Sequence, residues 1–158
     1  MTAFVLPLLI GVIAGLRAMT APAAVSWAAH LGWLKLESTS LAFLGYAYTP
    51  WIFTVFAIGE LITDQLPKTP SRKVPPQFIA RLLTGGFAGA VIGSAFFHTF
   101  SATGAGVIGA VLGTLAGAEL RSRLAASNNG NDRPGAFIED VVAVGGGLLV
   151  AFLVSFVS

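Results

Sequence analysis

The sequence contains no cysteine. Disulfides, thiolate nucleophiles and cysteine-held metals are therefore excluded, while the redox compartment is left open. Charge is nearly as scarce. Asp, Glu, Lys and Arg make up 10% of the 158 residues, against roughly 25% in a soluble domain. Histidine occurs only at His30 and His98, without a carboxylate at ligand spacing, so no metal site is expected. No GxSxG, HExxH or phosphate-binding loop is present, and the serines and threonines lack a base at a recognisable spacing. The chain is accordingly not read as an enzyme, and neither a catalytic residue nor a cofactor is expected. The formal charge is +2 and no basic patch is interleaved with aromatics, so nucleic acid is not an expected partner.

What remains is apolar: 55% of the residues are hydrophobic, and the mean hydropathy is +0.82. Long apolar runs fall at Ala3–Leu16, Tyr48–Ile62, Phe78–Phe97, Gly104–Ala118 and Val141–Val157. A helix of about 20 residues crosses the hydrocarbon core of a bilayer. The expectation is an all-α, multi-pass transmembrane bundle forming a single integral membrane domain over residues 1–158, with the lipid bilayer as its surroundings. Four spans are expected, at about Pro50–Leu66, Gln77–Phe97, Gly104–Leu124 and Ala136–Val157. The N-terminus lacks the basic region and cleavage site of a signal peptide and is read as part of the folded protein.

The segment Ala3–Leu34 is too long for one span and too short for two with a turn. Arg17 lies in its middle, followed by Met19-Thr20-Ala21-Pro22. Proline removes a backbone donor and disfavours helix at the preceding residue, which predicts a break near Thr20–Pro22. Either Ala3–Ala18 spans and Ala23–Trp33 lies at the interface, or the two pieces form a re-entrant pair with Arg17 at its tip. Broken backbone at membrane depth survives where it is buried in protein or lines a cavity. Orientation follows from the basic residues. Lys68, Arg72, Lys73 and Arg81 flank one loop, and Arg121, Arg123 and Arg133 flank another. The positive-inside rule puts loops 66–77 and 125–135 in the cytoplasm and the C-terminus on the outer side.

The few charges are the candidate functional residues. Glu60 and Asp64 are four residues apart, hence on one helix face. An ionisable residue inside a span faces the protein interior or a water-filled cavity, because lipid exposure costs roughly 2.5–3.5 kcal/mol on insertion scales. Arg17, Glu60, Asp64 and Glu119 are therefore the candidates for a proton or ion pathway. The bland alternative is that they are paired, or reach interfacial water by snorkelling.

A shift of 59 residues places Ala57, Glu60 and Leu61 on Ala116, Glu119 and Leu120, and Pro75, Phe78 and Ile79 on Pro134, Phe137 and Ile138. This is either a parallel hairpin repeat of 41–99 and 100–158 or chance among apolar segments. Under it Asp64 falls on Arg123, and Arg81 on Asp140. The swap of sign predicts ion pairs, Asp64 with Arg81 and Arg123 with Asp140 or Glu139. Glycine recurs every fourth residue at Gly85, Gly89 and Gly93, and again at Gly109, Gly113 and Gly117. Such faces let helices approach closely, either within the chain or between copies of it.

Gly15–Ala18 (GLRA), Glu60–Arg72 (ELITDQLPKTPSR) and the glycine-rich third span together resemble the bacterial membrane proteins of the domain-of-unknown-function 4126 family. In that family a lysine is expected after the aspartate, where this chain has Gln65. The resemblance implies a multi-pass protein of the bacterial inner membrane and no activity. The leading functional expectation is a small proton- or ion-linked transporter or permease of unknown small-molecule or ion substrate. The first alternative is a structural or assembly subunit, as a homo-oligomer or within a larger membrane complex. A weaker alternative is a membrane enzyme acting on lipid.

Overall fold

A computed structural model describes residues 2–66 and 73–157. Residues 67–72 of the expected basic loop at 66–77, Lys68 and Arg72 among them, lie outside the described residues. Among the described residues the chain forms six α-helices and a short 3-10 turn at Ala42–Gly45, without strands. The helices are α1 (Thr2–Leu16), α2 (Thr20–His30), α3 (Thr49–Thr63), α4 (Pro75–Ala95), α5 (Thr99–Ser127) and α6 (Arg133–Val154).

Proline marks four of the six helix starts. Pro50, Pro75 with Pro76, and Pro134 occupy the first positions of α3, α4 and α6, and Pro22 is the third residue of α2. The first turn of a helix has no intrahelical partner for its N–H groups, so proline costs nothing there. This moves the expected break. Pro22 begins a helix instead of interrupting one, and the break falls three residues earlier, at Arg17–Met19.

Of the four spans the sequence predicts, α4, α5 and α6 are long and apolar enough to cross a membrane. The remaining one, α3, is an apolar helix of 15 residues, about 22 Å long at 1.5 Å per residue. Among the large hydrophobics exposed on these helices are Val55, Leu83, Leu112 and Leu148.

The helix directions follow from residue pairings. Along α1 and α5, Leu8 meets Gly109 and Val12 meets Gly113, so the two run the same way. Along α4 and α5, Gly85 meets Gly106 and Gly93 meets Ala102, so they are opposed. On α6, Gly147 lies against Thr20 and Ala24, and Phe152 lies edge-on to Trp33, with ring centroids 5.8 Å apart. Hence α2 runs along with α6. Between α2 and α3, Met19 pairs with Glu60 and Trp27 with Thr54, so these are opposed. Because α6 returns from α5, α1 and α2 form a V. Its arms open toward the α4–α5 corner at His98, where Phe4 stacks on the histidine ring, and its apex is Arg17–Met19.

The arms meet α6 near its middle, where Ile13, Thr20 and Ala24 close around Gly146 and Gly147. The apolar core lies between these elements, with Ile10, Ala21, Ala88, Val91, Ile92 and Ala143 wholly buried. Five of the six glycines predicted to pack against other helices do so: Gly85, Gly89, Gly93, Gly109 and Gly113 each face a neighbouring helix, and Gly117 is buried. Gly11, Gly15 and Gly106 complete the same seam.

Candidate functional site

The apex of the V is where the charges gather. Arg17 follows the last residue of α1, and its N–H still donates to the Ile13 carbonyl at 2.8 Å. Its side chain is completely buried. One terminal nitrogen, Nη1, grips Asp64 Oδ2 at the end of α3, and the other, Nη2, lies against Asp140 Oδ1 on α6. The seventh residue of α4 is Arg81, also buried at 1% exposure, with Nη2 3.8 Å from Asp64 and 3.9 Å from Glu60. Two guanidinium groups are thus set among three carboxylates contributed by two other helices.

Glu60 has a separate task. Its Oε1 accepts from the Ala18 N–H and its Oε2 from the Met19 N–H, both at 2.8 Å. The carboxylate therefore satisfies backbone donors exposed by the break before α2, where the helix dipole also favours an anion. Gln65, next to Asp64, donates through Nε2 to Asp140 Oδ2 at 3.2 Å. The site is fastened from the α5 side as well. Thr114, fully buried, donates to the carbonyls of Gly15 at 3.1 Å and Ala110 at 2.8 Å.

Counting along the helices at 1.5 Å per residue, Arg81 and Asp140 lie about 10 Å from the N-terminal ends of α4 and α6. The cluster is therefore inside the bundle, nearer the end where residues 128–132 connect α5 to α6. Pairing is incomplete. Among the described residues, Arg17 Nε, Arg81 Nε and Nη1 and Thr20 Oγ1 are buried without a hydrogen-bond partner, and Arg17 Nη2 and Asp140 Oδ1 face each other as an ion pair without hydrogen-bond geometry.

Three of the four pathway candidates, Arg17, Glu60 and Asp64, come together, joined by Arg81 and Asp140 from the ion-pair candidates. The fourth, Glu119, is exposed on α5 and bonds Arg123 Nε at 2.7 Å, one helical turn away. The predicted pairing of Asp64 with Arg81 is present at 3.8 Å. The predicted pairing of Arg123 with Asp140 or Glu139 is replaced. Arg121, not Arg123, reaches Glu139 at 3.7 Å and bonds Asp132 at 2.9 Å, while Asp140 turns to Arg17. The reason is helical register: two residues rotate the side chain by about 200°, so Arg121 and Arg123 face opposite ways. Arg17 and Glu60 share the site, but the partners of Arg17 are the two aspartates. Sequence reasoning missed Arg121, although its position two residues before Arg123 was a usable signal.

Fold and site define an all-helical protein with three long apolar helices, compatible with residence in a membrane, and a buried mixed-charge cluster at the tip of a helical V. The chain belongs to the family described as domain of unknown function 4126, whose model matches residues 4–157, nearly its whole length. No curated protein and no solved structure matches it.

Proposed function

We propose that the protein is a small integral membrane transporter, proton- or ion-linked, with Arg17, Arg81, Glu60, Asp64 and Asp140 forming the coupling site. The observation that carries this reading is Arg17: fully buried at a helix break, it holds carboxylates from two different helices. Ionisable side chains at such depth are expensive, and they recur where ions or protons pass. Paired half-helices meeting at a charged site are also how secondary transporters build binding sites. With loops 66–77 and 125–135 on the cytoplasmic face of a bacterial inner membrane, α1 and α2 enter and leave from the outer face as a re-entrant pair. Neither arm, of 15 and 11 residues, is as long as the roughly 20-residue span a bilayer needs.

The rival reading, an assembly subunit, draws on α3. This helix is short, and Tyr48, Trp51, Ile52, Val55 and Phe56 line a shallow, wholly apolar groove of about 290 Å³ on its exposed face. One experiment separates the two. The chain has no cysteine, so Thr20→Cys and Gln65→Cys each introduce a single thiol at the site. In sealed proteoliposomes of known orientation, a transporter opens the site alternately, and a membrane-impermeant maleimide labels it from both sides. Labelling from one side only, or from neither, would refute transport and leave the subunit reading.

A further inference from the structure

Glycine inside these helices has a recurrent use. Gly11, Gly15, Gly89, Gly106, Gly109 and Gly113 each bring a neighbouring helix so near that an added methyl would clash with its backbone. At Gly59, in α3, an added methyl meets nothing within 4 Å, although glycine inside a helix costs about 0.5–1 kcal/mol relative to alanine. Gly104 and Gly145 are equally bare; the surface around Gly59 sets it apart. Tyr48, Ile52, Val55, Gly59 and Ile62 follow one another at spacings of four and three, the period of a seam between two packed helices. All five are exposed, the four larger side chains by 53–80%. Trp51 and Phe56 flank the seam, and with Tyr48, Ile52 and Val55 they line the apolar groove. No charged residue falls between Tyr48 and Gly59. Within the chain α3 packs chiefly on α2 and the 3-10 turn, and of its 15 residues only Pro50 and Ala57 are buried.

We propose that this face of α3 is the interface of a homodimer, in which two copies pack side by side along the Tyr48–Ile62 seam and approach most closely at Gly59. Length argues for a second copy over an unlike partner. With 15 residues, α3 is about 22 Å long, against about 30 Å of hydrocarbon. A helix too short for the bilayer gains by associating, and a second α3 falls short by the same amount at the same depth. A two-fold axis along the membrane normal keeps both copies in one orientation and makes the seam self-complementary. An apolar face also carries no charge with which to select an unlike partner. The area suffices. Side chains of this kind bring roughly 60–120 Å² each when aliphatic and 150–250 Å² when aromatic. The exposed parts of Tyr48, Trp51, Ile52, Val55, Phe56 and Ile62 then give roughly 600 Å² per copy, or about 1,200 Å² for the pair, the lower end of specific interfaces. The groove wall is already fixed: Trp51 lies edge-on to Trp27 at 5.1 Å between centroids, and Trp27 donates to Thr54 at 2.9 Å. Little side-chain freedom is therefore lost on docking. Glu60 and Asp64 project from the opposite side of α3, toward Met19 and Arg17. Each copy keeps its own charge cluster, and the dimer braces from behind the helix that supplies two of its carboxylates. The interface stands whether or not the protein transports.

The test is disulfide trapping of the full chain in proteoliposomes at a high lipid-to-protein ratio. The chain has no cysteine of its own, so each variant carries one thiol. Under a mild oxidant, Gly59→Cys and Val55→Cys are expected to run as linked dimers, and Gly145→Cys, bare on α6, as a monomer. Gly59→Leu supplies the converse. An added side chain there starts in open space, so circular dichroism should show unchanged helicity, while light scattering in detergent should show the mass halved from dimer to monomer. Should Gly59→Leu fail to fold, the trapping of Gly59→Cys and Val55→Cys decides. Monomers throughout overturn the proposal and leave the face to lipid. Equal trapping of Gly145→Cys overturns it as well, because that reports random collision, and so does a folded Gly59→Leu that keeps the dimer mass. The readout is separate from transport. A chain trapped as a dimer but labelled by maleimide from one side only would retain the interface and discard the transporter.

Discussion

The seam between α1 and α5 supports a prediction whose sign depends on position alone. A methyl group added at Gly113 would sit 2.2 Å from the Val12 carbonyl oxygen, and one at Gly109 would sit 2.1 Å from that of Leu8. Ordinary contact begins near 3.4 Å. Both obstacles are backbone, so no side chain can rotate away and the helices themselves must part. A radial gap of about 0.5–1 Å forfeits roughly a quarter to a half of each contact's dispersion energy. Overpacking of this kind costs about 1–3 kcal/mol. At Gly104, also on α5, and at Gly145, on α6, an added methyl meets nothing within 4 Å. There alanine only improves helix propensity, by about 0.5–1 kcal/mol. Thermal unfolding in a fixed detergent, followed by circular dichroism, should therefore show Gly109→Ala and Gly113→Ala melting lower than the unmodified chain. Gly104→Ala and Gly145→Ala should melt at the same temperature or higher. If the four variants move together, the close approach of α1 to α5 is wrong.

Replacing Arg17 with methionine takes the guanidinium from Asp140 and leaves Asp64 with Arg81 alone at 3.8 Å; it should destabilise by about 3–5 kcal/mol, the range for breaking a buried pair, and a much smaller loss in chemical unfolding would mean the arginine is solvated. Glu60→Ala frees the Ala18 and Met19 N–H groups and should cost about 1–3 kcal/mol, with faster hydrogen exchange at those two amides as its signature. The exposed pair Glu119–Arg123 should contribute nothing measurable: Arg123→Ala is expected to leave the melting temperature unchanged, and a clear drop would place Glu119 in a role the structure does not give it.

The sequence announced its site through scarcity. A charge inside an apolar run has few reasons to be there, and that selected Arg17, Glu60 and Asp64, together with Glu119, which the structure leaves exposed on α5; Arg81 entered through the swap of sign. It could not announce who pairs with whom. The Arg17–Asp64 contact bridges 47 positions and the Gln65–Asp140 contact bridges 75, so both depend on how helices return through the bundle. The break was legible in Pro22 but misplaced, because proline's tolerance of the first helical turn was weighed less than its hostility to the helix interior. The glycine seam was half legible. Gly85–Gly93 and Gly109–Gly113 lie in segments already read as spans, while Gly11 and Gly15, at the same spacing of four, sat in a segment whose helices were in doubt.

The helix dipoles explain why the cluster forms at this place. Arg17 follows the C-terminus of α1, the negative end, and Glu60 caps the positive N-terminus of α2; both suit the local field. Asp64 caps the C-terminus of α3, the end its charge should avoid, while Arg81, seven residues into α4, lies beyond the reach of that helix's end. The two meet at 3.8 Å, and Asp64 also takes Nη1 of Arg17. The field of one helix is thus corrected by a side chain from another. Glu60 and Asp64, both at the C-terminal end of α3, are ill placed on their own helix, and their pairing requires α1, α2, α3 and α4 to converge at one point. Asp140 lies outside this arrangement. Its position, eight residues into α6, is too far along for the end of that helix to favour it, since the dipole effect fades within the first turn. Asp140 is held instead by side chains from elsewhere in the bundle, Arg17 at the apex of the V and Gln65 beside α3.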